Sequence, residues 1–299
     1  MRIGVDLGGT KIEAAALDPA GGIVARRRVA TPAGDYGATV EAIGALVDAM
    51  EAELGRGSRV GIATPGARSL ATGLMKNCNS TCLNGRPLKE DLEGRLGREV
   101  RMANDANCFA LSEAVDGAGK GARVVFGVIL GTGVGGGIVV DRRAIDGANA
   151  IAGEWGHNPL PLPAAHDHPL PSCYCGRRGC VETYLSGPAL AADHALATGE
   201  GLDAEAIAAR AAAGDGRCAQ TIERHAERLA RALAGVVNVL DPDVIVLGGG
   251  LSSIGALYDR VPVLWRPHVF SDQVRTRLVR PAHGDASGVR GAAWLWEAS

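Results

Sequence analysis

Short apolar runs and longer amphipathic stretches alternate along the chain, with glycine, proline and aspartate between them. Residues 2–7, 12–17 and 23–30 are runs bounded by turn residues and predict three strands. Across 36–54, Val40, Ile43, Val47, Met50 and Leu54 recur at spacings of three and four, so an amphipathic helix is expected to pack on the sheet. Residues 59–63 read as a buried strand closed by Thr64-Pro65-Gly66, and 76–85 as a polar, unperiodic loop. A strand at 99–103 leads through Asn104-Asp105-Ala106-Asn107 into a helix ending at Val115. Residues 124–130 and 138–140 are strands joined by the glycine-rich turn 131–137. Beyond 182 the sequence is alanine-rich and helical, ending in a long helix through Ile222, Leu229, Leu233, Val236, Val237 and Leu240 that Asp241-Pro242 stops. A strand at 244–247 follows, Gly248-Gly249-Gly250 opens another helix, and 284–296 predict a loop and a closing helix. Strands alternating with helices place the chain in the α/β class.

With 299 residues the chain is long enough for two lobes and a cleft. Its 43 glycines call for many tight turns or close approaches to a ligand. A net charge of −2 without a basic block gives no surface that neutralises phosphates, which excludes DNA and RNA as expected partners. Asp6 stands where an export signal would have its apolar core, so a cytoplasmic protein is expected. Seven cysteines, an odd number, suit a reducing compartment, and Cys78, Cys82, Cys108 and Cys218 read as core thiols. The uncharged run 124–140 is broken by five glycines between 131 and 137 and is too short for a membrane span.

Several stretches carry candidate chemistry. Gly8-Gly9-Thr10-Lys11 joins two strands and leaves backbone N–H groups free for an anion; a plain tight hairpin is the alternative. The Walker A spacing is absent. Asp6 at the strand end would hold the water shell of Mg²⁺, with the Thr10 hydroxyl beside it. Gly131-Thr132-Gly133-Val134-Gly135-Gly136-Gly137 formally contains a dinucleotide fingerprint, but an apolar β-branched run follows where that fingerprint needs a helix, which disfavours an NAD enzyme. Two strand–glycine-turn–strand units are therefore expected, one in each lobe, gripping a nucleotide between them. Gly248 and Gly249 would approach its nucleoside end, or serve helix–strand packing alone. Gly66 after a buried strand is a further close-approach position. The amides and hydroxyls of 76–85, Asn79 among them, suit a polyol or equally suit turn duty. Asp105 is either a helix N-cap or, at the carboxyl end of a parallel strand, a catalytic group. Arg26, Arg27 and Arg28 read as a solvated face.

His157, Cys173, Cys175 and Cys180, with glycines between the thiols, match a closed structural Zn²⁺ site; four buried or disulfide-bonded residues are the alternative. Glu154 and Glu182 flank the site, and a metal there would fix both carboxylates. An imidazole bound through one ring nitrogen keeps the other as a donor, so His157 would itself reach a hydroxyl.

Asp6-Leu7-Gly8-Gly9-Thr10-Lys11, Asn104-Asp105-Ala106-Asn107, the turn 131–137, Glu154-Trp155-Gly156-His157, Cys173-x-Cys175-Gly176-x-x-Gly179-Cys180-x-Glu182 and Gly248-Gly249-Gly250 together resemble a sugar kinase of the ROK family over the whole chain. The resemblance implies an actin-like, ribonuclease H-like fold in two lobes: 1–117, completed by a C-terminal helix 288–299, and 118–287, carrying the zinc-binding segment 153–182. It implies phosphorylation of a hexose 6-hydroxyl by ATP and Mg²⁺, and a homodimer. Asp105 would be the catalytic base, and Asn104, Glu154, His157 and Glu182 would contact the sugar, with Gly66 and Asn79 as further candidates. Gly8, Gly9, Thr10, Lys11, Gly131, Thr132, Gly133, Gly135, Gly136, Gly248 and Gly249 would serve the nucleotide. Family repressors carry a DNA-binding segment ahead of the first strand, which here begins at Arg2. Lys76-Asn77-x-Asn79-Ser80-Thr81, Asn158-Pro159-Leu160-Pro161 and 288–296 resemble bacterial fructokinases of the manno(fructo)kinase type, so fructose is the expected sugar, mannose a second substrate, and N-acetylglucosamine or glucose the alternatives. A sugar sensor could dispense with Asp105, and a chaperone-like or filament ATPase with the carboxylates around the zinc.

Overall fold

A first strand buried on both sides, β1 (Arg2–Leu7), nucleates a five-stranded sheet in the computed structural model, which describes residues 1–296. In chain order there follow β2 (Lys11–Leu17), β3 (Ile23–Ala30), α1 (Tyr36–Leu54), β4 (Arg59–Thr64), β5 (Ala67–Arg68), β6 (Met75–Lys76), α2 (Leu88–Leu96), β7 (Val100–Asn104) and α3 (Asp105–Val115). The chain continues through β8 (Val124–Leu130), β9 (Val134–Val140), β10 (Arg143–Ala144), α4 (Glu182–Leu185), α5 (Gly187–Thr198), α6 (Ala204–Ala212), α7 (Gly216–Leu240), β11 (Val244–Gly248), α8 (Gly255–Leu264), β12 (Arg277–Val279) and α9 (Ser287–Trp294).

Two compact units result. Of the described residues, the first holds 1–121, 137–152 and 282–296; the second holds 122–136 and 153–281. Residues 137–152, expected in the second lobe, cluster with the first, because Gly137 lies so close to α3 that a Cβ would meet the Ala106 carbonyl at 2.5 Å. The expected C-terminal helix 288–299 is α9, and residues 297–299 lie outside the described residues.

In the first unit the sheet runs β3-β2-β1-β4-β7, antiparallel through the β1–β2–β3 meander and parallel from β1 through β4 to β7. Asp35 caps α1 by accepting the Ala38 N–H at 2.9 Å. The apolar stripe of α1 then meets the strands in a core of Ile3, Val5, Ile43, Val47, Met50, Val60 and Ile62, closed by Leu88 and Leu92 of α2. On the opposite face α9 crosses β4 and α3 at backbone distance: a Cβ on Gly61 would lie 1.8 Å from the Ala292 carbonyl, and one on Gly291 1.7 Å from that of Cys108. Arg26 and Arg28, read as solvated, instead clamp the buried carboxylate of Glu13, while Arg27 pairs with Glu53.

The second sheet runs β10-β9-β8-β11-β12, with β8, β11 and β12 parallel. The second unit packs on α7, capped at its start by Asp215 and ended by Asp241 in a left-handed conformation at φ 47°. The α7 helix buries Ile222, Leu229 and Leu233, and it also buries Arg228 and Arg231. No helix among the described residues is long and apolar enough to cross a membrane.

Candidate functional site

In the first unit the β1–β2 turn is held from outside. Gly8 N donates to Lys11 O at 3.0 Å, Thr31 N to Thr10 O at 3.0 Å, and the Thr31 hydroxyl to Gly8 O at 2.7 Å. Thr31 is thus a supporting residue that the sequence pattern did not single out. Asp6 lies beneath the turn, with Gly288 at the start of α9 so close that a Cβ there would sit 2.7 Å from Asp6 Oδ2. Burial, and then the charges of Asp105 and Glu13, push the Asp6 carboxyl up to about 6, against a smaller opposing pull from Lys11. Carboxylates that repel one another in a partly buried place suit a hydrated divalent cation.

The cap of α3 is Asn104, whose side chain accepts the Ala106 N–H at 2.9 Å, and Asp105 is the first helical residue, exposed at the end of β7. Asp105 Oδ1 also lies 2.7 Å from that N–H, but capping does not depend on it. Asn104 is steadied in turn by Nδ2 donating to Gly66 O at 3.3 Å. The close approaches at Gly66 and Gly249 are to the protein's own backbone, the Lys76 carbonyl at 2.5 Å and the Leu130 carbonyl at 2.4 Å from a Cβ. Gly248 belongs to β11, and a short turn, Gly250–Ser253, separates it from α8, so the three glycines do not open that helix directly. In the 76–85 loop Asn84 does turn duty, bonding the Cys78 N–H and C=O at 2.9 and 3.0 Å. Asn79 accepts the Ser80 N–H and lines a cavity of about 320 Å³ with Gly9, Thr31 and Pro32.

In the second unit the Glu154-Trp155-Gly156-His157 motif divides into two anchors and two presented groups. Trp155 is buried, donates Nε1 to Gly135 O at 2.9 Å and meets Phe126 edge-on at 5.8 Å. Gly156 is pressed on Val134, whose carbonyl would lie 2.1 Å from a Cβ. Both therefore fasten the segment to the glycine turn, leaving Glu154 exposed and His157 half-buried. His157 turns Nδ1 toward Cys173 Sγ at 3.5 Å and Nε2 toward the Tyr174 hydroxyl at 2.9 Å. The nitrogen expected to meet a ligand hydroxyl is thus directed at a tyrosine hydroxyl.

The ligand atoms of His157, Cys173, Cys175 and Cys180 all lie within 4.8 Å of one another, and the three thiols are free rather than disulfide-bonded. Gly176, at φ 86°, makes the turn between Cys175 and Cys180. One imidazole and three thiols form the donor set of a tetrahedral Zn²⁺ site, and these residues fit it. A backbone N–H from Arg177 lowers the Cys175 thiol to about 7, whereas burial raises Cys180 to about 12. Glu182 Oε2 accepts the Val134 N–H at 2.9 Å, so the carboxylate after the last cysteine is fixed on the glycine turn. The intervening loop is anchored by Asp167, fully buried, which receives Arg228 Nε and Arg231 Nη2 of α7 at 2.7 Å each, while the Tyr184 hydroxyl donates to its carbonyl at 2.9 Å. The sequence held no signal for this clamp beyond two arginines interleaved with the apolar residues of α7.

A cavity of about 1020 Å³ opens beside the same glycine turn, lined by Gly131 and Thr132, by alanines of α6, by Ile222 of α7 and by residues 250–256. The alanine run of α6 was the available sign, since methyl side chains leave room for a flat ligand.

The model of the ROK family matches residues 2–299. The chain is 42% identical over 299 residues to an N-acetyl-D-glucosamine kinase of Photobacterium profundum, covering 99% of each. It superimposes on a ROK hexokinase from Thermus thermophilus with a TM-score of 0.86 and 31% identity, covering 98% of this chain and 97% of that one. A ROK family glucokinase from Streptomyces griseus in complex with glucose and AMPPNP gives 0.77 and 32%, covering 98% of both. The actin-like α/β fold is thereby supported. Fructose gains no support, and two of the three segments that suggested it serve the fold: 288–296 form the close-packed end of the first unit, and Leu160 N bonds Gly179 O across the cysteine segment.

Proposed function

The chain belongs to the ROK family, and on that premise we propose that it transfers the γ-phosphoryl group of ATP to the 6-hydroxyl of N-acetyl-D-glucosamine. The observation that carries the reading is the full-length likeness to an N-acetyl-D-glucosamine kinase. Phosphoryl transfer passes through a loose transition state, so the protein supplies position and charge. Backbone N–H groups of the turns 8–11 and 131–136 hold the phosphates. Asp105 accepts the hydroxyl proton as the oxygen attacks in line; a carboxylate is a weak base for an alcohol, so it acts late, by alignment more than by basicity. Asn104, Gly66 and Asn79 of the first unit, and Glu154 and Glu182 of the second, bind the sugar hydroxyls, and His157 does so by exchanging the Tyr174 hydroxyl at its Nε2 for one of the sugar's. Gly248 and Gly249 shape the wall near the nucleoside. Asp6 would hold the water shell of a Mg²⁺ bound with the nucleotide, and that ion would supply neutralisation of phosphate charge. His157, Cys173, Cys175 and Cys180 would hold a Zn²⁺ that would cross-link the segment presenting Glu154 and Glu182.

Release of ADP by the purified protein over N-acetylglucosamine, glucose, mannose and fructose tests this. The largest kcat/KM is expected with N-acetylglucosamine. A larger value for any of the other three overturns the sugar assignment while leaving the kinase reading intact.

A further inference from the structure

The cavity of about 1020 Å³ in the second unit bears on which nucleotide can serve as donor, an inference that rests on the kinase reading above. Its size is at the upper end of small-molecule sites, which span about 300–1,000 Å³. Ala204 and Ala208 of α6 give it a methyl-covered wall, opposed by Ile222 and Leu251. Three of the five polar side chains that line it, Ser253, Glu223 and Arg260, are bonded within the protein. The Ser253 hydroxyl donates to Gly250 O at 2.8 Å, and the Ser252 and Ile254 N–H groups donate to Gly249 O and Leu251 O at 3.1 Å each. The Arg260 guanidinium is forked onto Glu223, at 2.9 Å from Nε and 2.5 Å from Nη2. Glu205, exposed on the first turn of α6, is a carboxylate and accepts equally from the amino group of adenine or from the N1–H and amino group of guanine.

Rejecting a wrong base by about 10⁴-fold or more requires buried donors and acceptors that only the right base satisfies; an apolar slot separates isosteres by about 10²-fold at most. We propose that this enzyme discriminates weakly among purine nucleoside triphosphates, so that GTP and ITP replace ATP as phosphoryl donors. Each gives the same balanced transfer, with the terminal phosphorus–oxygen bond broken, a bond formed to the sugar oxygen, and the nucleoside diphosphate released.

The test is kcat/KM for the magnesium complexes of ATP, GTP and ITP at saturating sugar, read as sugar phosphate formed. Values for GTP and ITP within about 100-fold of ATP are expected. A preference for ATP above about 10⁴-fold overturns the proposal while upholding the kinase reading; no turnover with any of the three removes both. The variant Ala208→Leu, which fills the methyl wall, is expected to raise KM for all three donors several-fold with the sugar KM unchanged. Unaltered donor KM in that folded variant puts the base elsewhere and also overturns it.

Discussion

Asp6 and Asp105 are both carboxylates at strand ends in the first unit, and their surroundings give them different work. Asp105 is exposed, and Asn104 does the capping of α3, so Asp105→Asn removes a proton acceptor without removing a helix cap. We expect kcat to fall about 10²–10⁴-fold with sugar KM nearly unchanged, as measured by steady-state kinetics; near-normal kcat would take Asp105 out of the reaction. Asp6 is raised from 3.8 to about 6 by burial first. Between those values the native state holds a proton that the unfolded chain has released, so this group's contribution to stability falls as pH rises through the window. Above it the bare carboxylate costs about 3 kcal/mol. Without divalent cation, Asp6→Asn is therefore expected to melt higher than the parent at pH 7.5, with the gap closing toward pH 4. Equal melting curves at both pH values would contradict that electrostatic origin. Asp105 was legible in the sequence because it follows a strand and opens a helix. Which of Asn104 and Asp105 caps was not legible, since side-chain direction at a helix start is decided by the turn before it. The pairing of Arg26 and Arg28 with Glu13 was equally hidden, because residues read as surface charge on one strand met a buried charge on its neighbour.

Among elements, the segment from Glu154 to Glu182 concentrates most of the presented chemistry of the second unit, and it carries little regular structure of its own. Its order derives from the Trp155 anchor and the Asp167 clamp, and its His and three Cys side chains converge. Replacing Cys175 by serine should lower bound zinc below one per chain, reduce thermal stability and raise sugar KM together, as read by metal analysis, melting and kinetics. Unchanged KM in a zinc-free variant would separate the metal from sugar binding. Metal-ligand spacing made the cluster readable in advance, as the doubled hairpin β1–β2 and β8–β9 was readable from glycine turns between apolar runs. The two-residue strands β5, β6 and β10 and the short β12 escaped detection because their pairing partners, not their own pattern, make them strands. Helix α2 escaped because two apolar contacts, Leu88 and Leu92, suffice to dock it.

At the scale of the molecule, the first unit is built from three separate stretches of chain, and its last element is α9. Trp294 is buried there, donates to Asp116 and lies under the Arg2 guanidinium at 4.0 Å, while Arg101 reaches the Leu295 carbonyl at 2.7 Å. The face that α9 covers, Ala63, Ala103 and Cys108, is made early in synthesis. The roughly 160 residues separating positions 121 and 282 take on the order of ten to thirty seconds to translate. For that interval the nascent sheet waits with a notch that only the final turns of the chain can fill. The second unit, whose long segment 153–281 lies wholly inside that interval, can mature first. A ribosome that stalls before α9 therefore releases a chain in which Asp6 and Asp105 are present and the sheet that supports them is still open to aggregation.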